Sequence, residues 1–139
     1  MVLRLTPSPA GSTGLGEDVR RGVVDVAFTG LGPEDHPGLR YTRLTSSTFV
    51  AVLPAGHALA GARSVAPGDL SDEHVVTTPR GFGNRVVAER AFAHAGVAPR
   101  ADTEVAALGA LPAVVAAGVA VAERAAGRGT SASVSASRR

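Results

Sequence analysis

Residues 77–96 read TTPRGFGNRVVAERAFAHAG, and the period of the chain changes inside this stretch. The β-branched run Val75-Val76-Thr77-Thr78 is strand-like and stops at a Pro-Arg-Gly-Phe-Gly turn. A helical pattern follows, with Val87, Ala91, Phe92 and Ala95 on one face and Arg85, Glu89 and Arg90 off it. Asn84 suits the helix start and Gly96 the stop. A strand, a glycine turn and a helix in that order place backbone N–H groups at a helix end, where an anion is favoured.

Working outward, other elements carry the same alternation. Val2 to Leu5 reads as a short strand and Thr6 to Gly11 as a turn. Leu15 to Arg21 allows one or two helical turns ended by Gly22. Val23 to Phe28 is nearly continuous in apolar residues, which predicts a strand covered on both faces, stopped by Thr29-Gly30. Leu39 to Leu44 alternates, Phe49 to Leu53 reads as a buried strand, and Pro67 to Leu70 as a turn into a short helix. Ala101 to Ala106 reads as a strand and Leu108 to Ala117 as an apolar helix with Pro112 in its first turn. Val119 to Ala122 begins another strand. From Arg124 onward the chain is mostly Gly, Ser, Ala and Arg without period, which predicts disorder. Strands alternating with helices predict an α/β fold with a mainly parallel sheet, whose ligands sit beyond the carboxyl ends of strands.

Composition narrows the function. The chain has 139 residues, 45% hydrophobic and 19% charged, with no cysteine. Disulfides, thiolate metal sites and cysteine nucleophiles are therefore excluded. All 14 basic residues are Arg, and four of them follow Glu123, so residues 1–123 hold fewer basic than acidic groups. No predicted helix carries a basic stripe, and specific DNA binding by this chain is not expected. The apolar run from Leu108 to Ala122 is shorter than the ~20 residues a bilayer span needs. A cytoplasmic protein with no membrane partner is the expectation.

His36, His57, His74 and His94 show no metal-ligand spacing, and no metal or other cofactor is expected. No Gly-x-Ser-x-Gly elbow occurs. The acidic pairs Glu34-Asp35 and Asp72-Glu73 fall in turns, where carboxylates ordinarily solvate the surface. Arg80-Gly81-Phe82-Gly83 lacks the third glycine of a dinucleotide fingerprint, because Val86 stands there. Three strand ends do carry small polar residues or glycine: Thr29-Gly30, Ser46-Ser47-Thr48 and Thr77 to Gly81. Their hydroxyls either donate to an anion or satisfy strand-end backbone groups. Arg80 next to a helix start costs up to ~1 kcal/mol unless an anion binds there.

The segments GVVDVAFTG (22–30), FVAVLPAGHALAG (49–61), DLSDEHVVTTPRGFG (69–83), AFAHAGVAPR (91–100) and LPAVVAAGVAVA (111–122) resemble, in this order, the effector-binding domain of LysR-type transcriptional regulators. The resemblance covers about residues 2–122. It implies a type 2 periplasmic-binding-protein-like fold of two Rossmann-like lobes joined by crossover strands. Lobe one, incomplete here, would take 2–45 and lobe two 49–122, leaving 123–139 as a tail. The family's helix-turn-helix and linker helix have no counterpart in the sequence, and neither do the first strand and helix of lobe one. The ending ERAAGRGTSASVSASRR departs from the family's pattern, and Ala120 stands where a glycine is common.

The resemblance implies a sensor rather than an enzyme. Its effector would be a small molecule, a carboxylate by the chemistry above, bound by Thr29, Gly30, Ser47, Thr78, Pro79, Arg80 and Gly81. A homodimer through the effector domain is a further implication. The alternatives are a scaffold fragment without ligand and an anion-binding enzyme.

Overall fold

The computed structural model describes residues 4–46, 48–116, 121–125 and 134–137. The chain divides into two units. The first takes Met1–Ser46, Gly81–Gly83 and Ala132–Arg139, and the second Ser47–Arg80 and Asn84–Ser131.

In the first unit helix α1 spans Gly11–Arg21. It ends because Gly22 turns left-handed (φ 74°), letting its N–H bond to Val19 O at 3.1 Å and the Val23 N–H to Asp18 O at 2.9 Å. Leu15 and Val19 project inward with Val24, Ala27, Leu39 and Tyr41. On the helix's solvent side, Glu17 accepts from Arg20 at 2.9 Å and Arg21 at 3.0 Å. The Arg20 hydrogen bond is the main cause holding the Glu17 carboxyl below the usual range. Strands β1 (Val26–Thr29) and β2 (Arg40–Arg43) both pair antiparallel with β7 (Val134–Ser137), giving the order β1-β7-β2.

The second unit holds the order β3-β6-β4-β5. Its strands are β3 (Phe49–Val52), β4 (His74–Thr77), β5 (Arg100–Glu104) and β6 (Val121–Ala125). β4 lies parallel to β5 and to β6, while β3 runs antiparallel to β6. Helix α2 (Gly83–His94) makes the crossover between β4 and β5, as a parallel pair requires. Gly96, at φ 70°, stops it, and the Val97 N–H caps Phe92 O at 3.1 Å. Val75 packs with Leu70, Ala88 and Phe92 on one side of the sheet. Val76 packs with Leu111 and Val115 of α3 (Leu111–Ala116) on the other.

Several expectations change. β1 is not covered on both faces: Ala27 and Thr29 are buried under α1, but Val26 and Phe28 stay 51% and 56% exposed. Only one face of that strand meets a helix among the described residues. The first unit's sheet is antiparallel, because β7 comes from the far end of the chain and runs between β1 and β2. α1 starts four residues before Leu15, since Gly11 takes φ 65° and the Thr13 amide finds an acceptor outside the helix. α2 begins at Gly83, so Asn84 lies inside its first turn rather than capping it. Arg4 and Leu5 form no strand, while Val2 and Leu3 lie outside the described residues. Residues 121–125 and 134–137 are strands within or beside the segment read as disordered. The predicted helix 108–117 is a 3₁₀ turn (Leu108–Ala110) followed by α3, and Ala117, Val119 and Ala120 lie outside the described residues.

Candidate functional site

The predicted site residues divide between the two units. Thr29, Gly30 and Gly81 belong to the first, and Thr78, Pro79 and Arg80 to the second. Ser47 lies outside the described residues.

In the first unit, Thr29 and Gly30 end β1 beside the start of α1. The buried Thr29 hydroxyl accepts the Leu31 N–H at 3.1 Å, so it first serves the strand-end turn. The Gly30 N–H donates to Ser12 Oγ at 3.4 Å. The Gly81 carbonyl accepts from the Thr13 N–H at 3.0 Å and from Thr13 Oγ1 at 3.2 Å. The glycine turn thus caps α1, which has no side-chain cap of its own. Space explains the glycines here: a Cβ on Gly83 would lie 2.9 Å from Ser12 Oγ and 3.3 Å from Gly30 Cα. Behind this cluster the buried His36 ring sets its Nε2 3.2 Å from Ser12 O. It also fills the space over Gly16, where a Cβ would come within 2.5 Å of the ring. Sequence reasoning passed over Ser12 and Thr13. Two hydroxyl residues just ahead of the Leu15–Val19 period are the signal that could have found them.

Among the described residues of the second unit, the buried side-chain polar group without a partner is that of Thr78. The residue is 3% exposed, and its Oγ1 has no hydrogen-bond partner among the described residues. It borders a cavity of about 10 Å³ lined by Val76, Thr77, Thr78, Asn84, Arg85 and Ala88. That is room for about one water-sized group. The first turn of α2 supplies two of the lining residues, and its amides have no intrahelical acceptor.

Arg85, read as lying off the apolar face of the helix, is 8% exposed. Its Nη1 donates to Thr78 O at 3.1 Å and to Glu104 Oε1 at 2.8 Å, and its Nε to Glu89 Oε1 at 2.5 Å. Burial of a guanidinium requires such partners. The hydrogen bond to Glu89 chiefly raises the Arg85 pKa, burial opposes it, and Glu104 adds to the rise. Arg80, by contrast, is exposed.

The remaining histidines serve local structure. His57 Nδ1 accepts the Leu59 N–H at 3.1 Å, which leaves the ring proton on Nε2, 3.2 Å from Glu73 Oε1. His74 Nε2 meets Thr103 Oγ1 at 3.0 Å. His94, in the last turn of α2, lies 2.7 Å from Arg90 O. Among the described residues no helix is long and apolar enough to cross a membrane.

The fold has close structural counterparts. A mutant of Corynebacterium glutamicum OxyR superposes with a TM-score of 0.73 at 19% identity, over 92% of this chain and 46% of that one. The effector binding domain of QuiR in complex with shikimate gives 0.74 at 16% identity, over 92% and 68%. The BenM effector binding domain with its effector benzoate gives 0.69 at 21% identity, over 92% and 67%. The chain thus spans roughly half to two thirds of the length of these proteins. No curated protein shows significant similarity to the sequence. The counterparts carry a periplasmic-binding-protein-like α/β fold, and the mixture of helices and strands among the described residues agrees with it. The family model for the LysR substrate binding domain matches residues 3–123, and the chain belongs to that family.

Proposed function

We propose that this chain senses a small carboxylate effector for transcriptional regulation. The observation that carries this reading is Thr78: a buried hydroxyl with no partner among the described residues, bordering a cavity at the first turn of a helix. An unsatisfied buried donor is costly, and a ligand oxygen relieves the cost. The cavity admits about one such atom. Amides at a helix start favour that oxygen being anionic. Shikimate and benzoate, bound by the QuiR and BenM domains, are both carboxylates.

The residues proposed to meet the effector are Thr29, Gly30, Ser47, Thr78, Pro79, Arg80 and Gly81. Arg80 is the cation for the carboxylate, since Arg85 is already neutralised by two glutamates. Thr29 keeps a hydroxyl proton to donate after accepting from Leu31. The proposal further includes a cytoplasmic location, a homodimer through the effector domain, no catalytic turnover and no specific DNA binding by residues 1–139.

The test is calorimetric titration of the chain with benzoate and shikimate. Arg80→Ala should weaken binding by about 1.5–3 kcal/mol, the worth of a hydrogen bond to a charged group. Binding that is indifferent to Arg80→Ala refutes the assignment.

A further inference from the structure

We propose that Arg85 is a positioning residue for the effector site: it fixes the Thr78 peptide and so aims the Thr78 hydroxyl and the turn that follows. The inference rests on the sensor reading given above. Its basis is a three-way clamp. One buried guanidinium ties the residue after β4 (Thr78 O, 3.1 Å) to the end of β5 (Glu104, 2.8 Å) and to the next turn of α2 (Glu89, 2.5 Å). Arg85 itself sits in the first turn of α2.

The clamp acts on a specific torsion. Pro79 follows Thr78, and its ring fixes φ near −65°. The direction of the Pro79-Arg80-Gly81 turn is therefore set largely by ψ of Thr78, the rotation that swings the Thr78 carbonyl. Holding that carbonyl holds the turn. The same residue carries a hydroxyl that borders the cavity, so a clamp that keeps Thr78 seated keeps that hydroxyl at the cavity.

Arg85 is unsuited to contact the effector itself. Its charge already faces two carboxylates, and giving one up to bind a third would leave a glutamate uncompensated. The labour divides: Arg80 supplies exposed charge, and Arg85 supplies geometry. Lysine cannot replace it, because a single ammonium lacks the planar fork that reaches a carbonyl and two carboxylates at once.

Two measurements on the full chain test this. In the effector-free protein, the carbonyl ¹³C shift of Thr78 should move in Arg85→Met, because the carbonyl loses its donor. The second is a double-mutant cycle in benzoate affinity between Arg85→Met and Thr78→Val. If Arg85 works through Thr78, its loss weakens binding much more in the wild-type background than beside Thr78→Val, with a coupling of about fivefold or more. Should Arg85→Met fail to fold, Arg85→Lys completes the same cycle. A Thr78 carbonyl shift unchanged by Arg85→Met overturns the clamp. Equal fold-losses in the two backgrounds, with wild-type binding intact, overturn the role of Arg85 and leave the sensor reading standing. Absence of any benzoate or shikimate binding by the wild-type chain overturns both.

Discussion

Replacing Thr78 with valine should stabilise the second unit and weaken effector binding at once. The side chains are nearly the same shape, and the change exchanges a hydroxyl for a methyl. In the folded chain that hydroxyl is buried with no partner among the described residues, whereas in the unfolded chain water satisfies it. Leaving a buried donor unmade costs about 1–3 kcal/mol. A water molecule entering the ~10 Å³ cavity would offset part of this, so the net gain from Thr78→Val should be about 1 kcal/mol. For a chain of this size that raises the melting temperature by roughly 3–5 °C. The assay is urea denaturation followed by far-ultraviolet circular dichroism. The midpoint should rise while the slope stays unchanged, the signature of a pure stability effect. Affinity for benzoate, measured in parallel, should fall. A lower midpoint for Thr78→Val would refute the reasoning, because it would mean the hydroxyl is well bonded in the folded state and not held open for a ligand.

Gly81→Ala should destabilise the first unit by about 1–2 kcal/mol, since Gly81 has φ 89° and a Cβ there would lie 3.0 Å from Ala10 O; an unchanged urea midpoint would contradict this. Leu111→Ala, removing a side chain 1% exposed between Val76 and Val115, should cost about 2–5 kcal/mol, readable as a loss of cooperative unfolding at lower urea. Burial, and secondarily the charge of Asp35, raises the Tyr41 phenol above its ordinary pKa. The folded chain therefore holds this proton more tightly than the unfolded one. The contribution is complete below the unfolded value of ~10 and is lost as pH rises through the folded value. Tyr41→Phe should flatten that alkaline decline, and an identical decline in the variant would rule Tyr41 out as its cause.

Much of the second unit is legible in the sequence because its signals are local. Val75-Val76 is apolar at adjacent positions, which suits only a strand packed on both faces, and each valine does enter a different cluster. The glycine turn, the helical period after it and the stop at Gly96 are each read within a few residues. The same rule fails for Val23 to Phe28, because a run of apolar residues states a preference for burial but not whether a helix is there to cover it. Phe28 has a helix on one side only among the described residues.

The sequence by itself determined the alternation of strands and helices, the ends of α1 and α2 at their glycines, and a polar turn at the start of a helix. These follow from side-chain shape, backbone freedom and period, which act over one or two turns of chain. The tertiary structure alone decided that Arg85 is buried, because its partner Glu104 lies 19 residues away on another strand. It alone decided that the Gly81 carbonyl caps α1, across 68 residues, and that β7 divides β1 from β2. It alone left the Thr78 hydroxyl without a partner among the described residues. A hydrogen bond depends on where two distant groups come to rest, and that position is set by the packing of whole elements rather than by the residues beside either group.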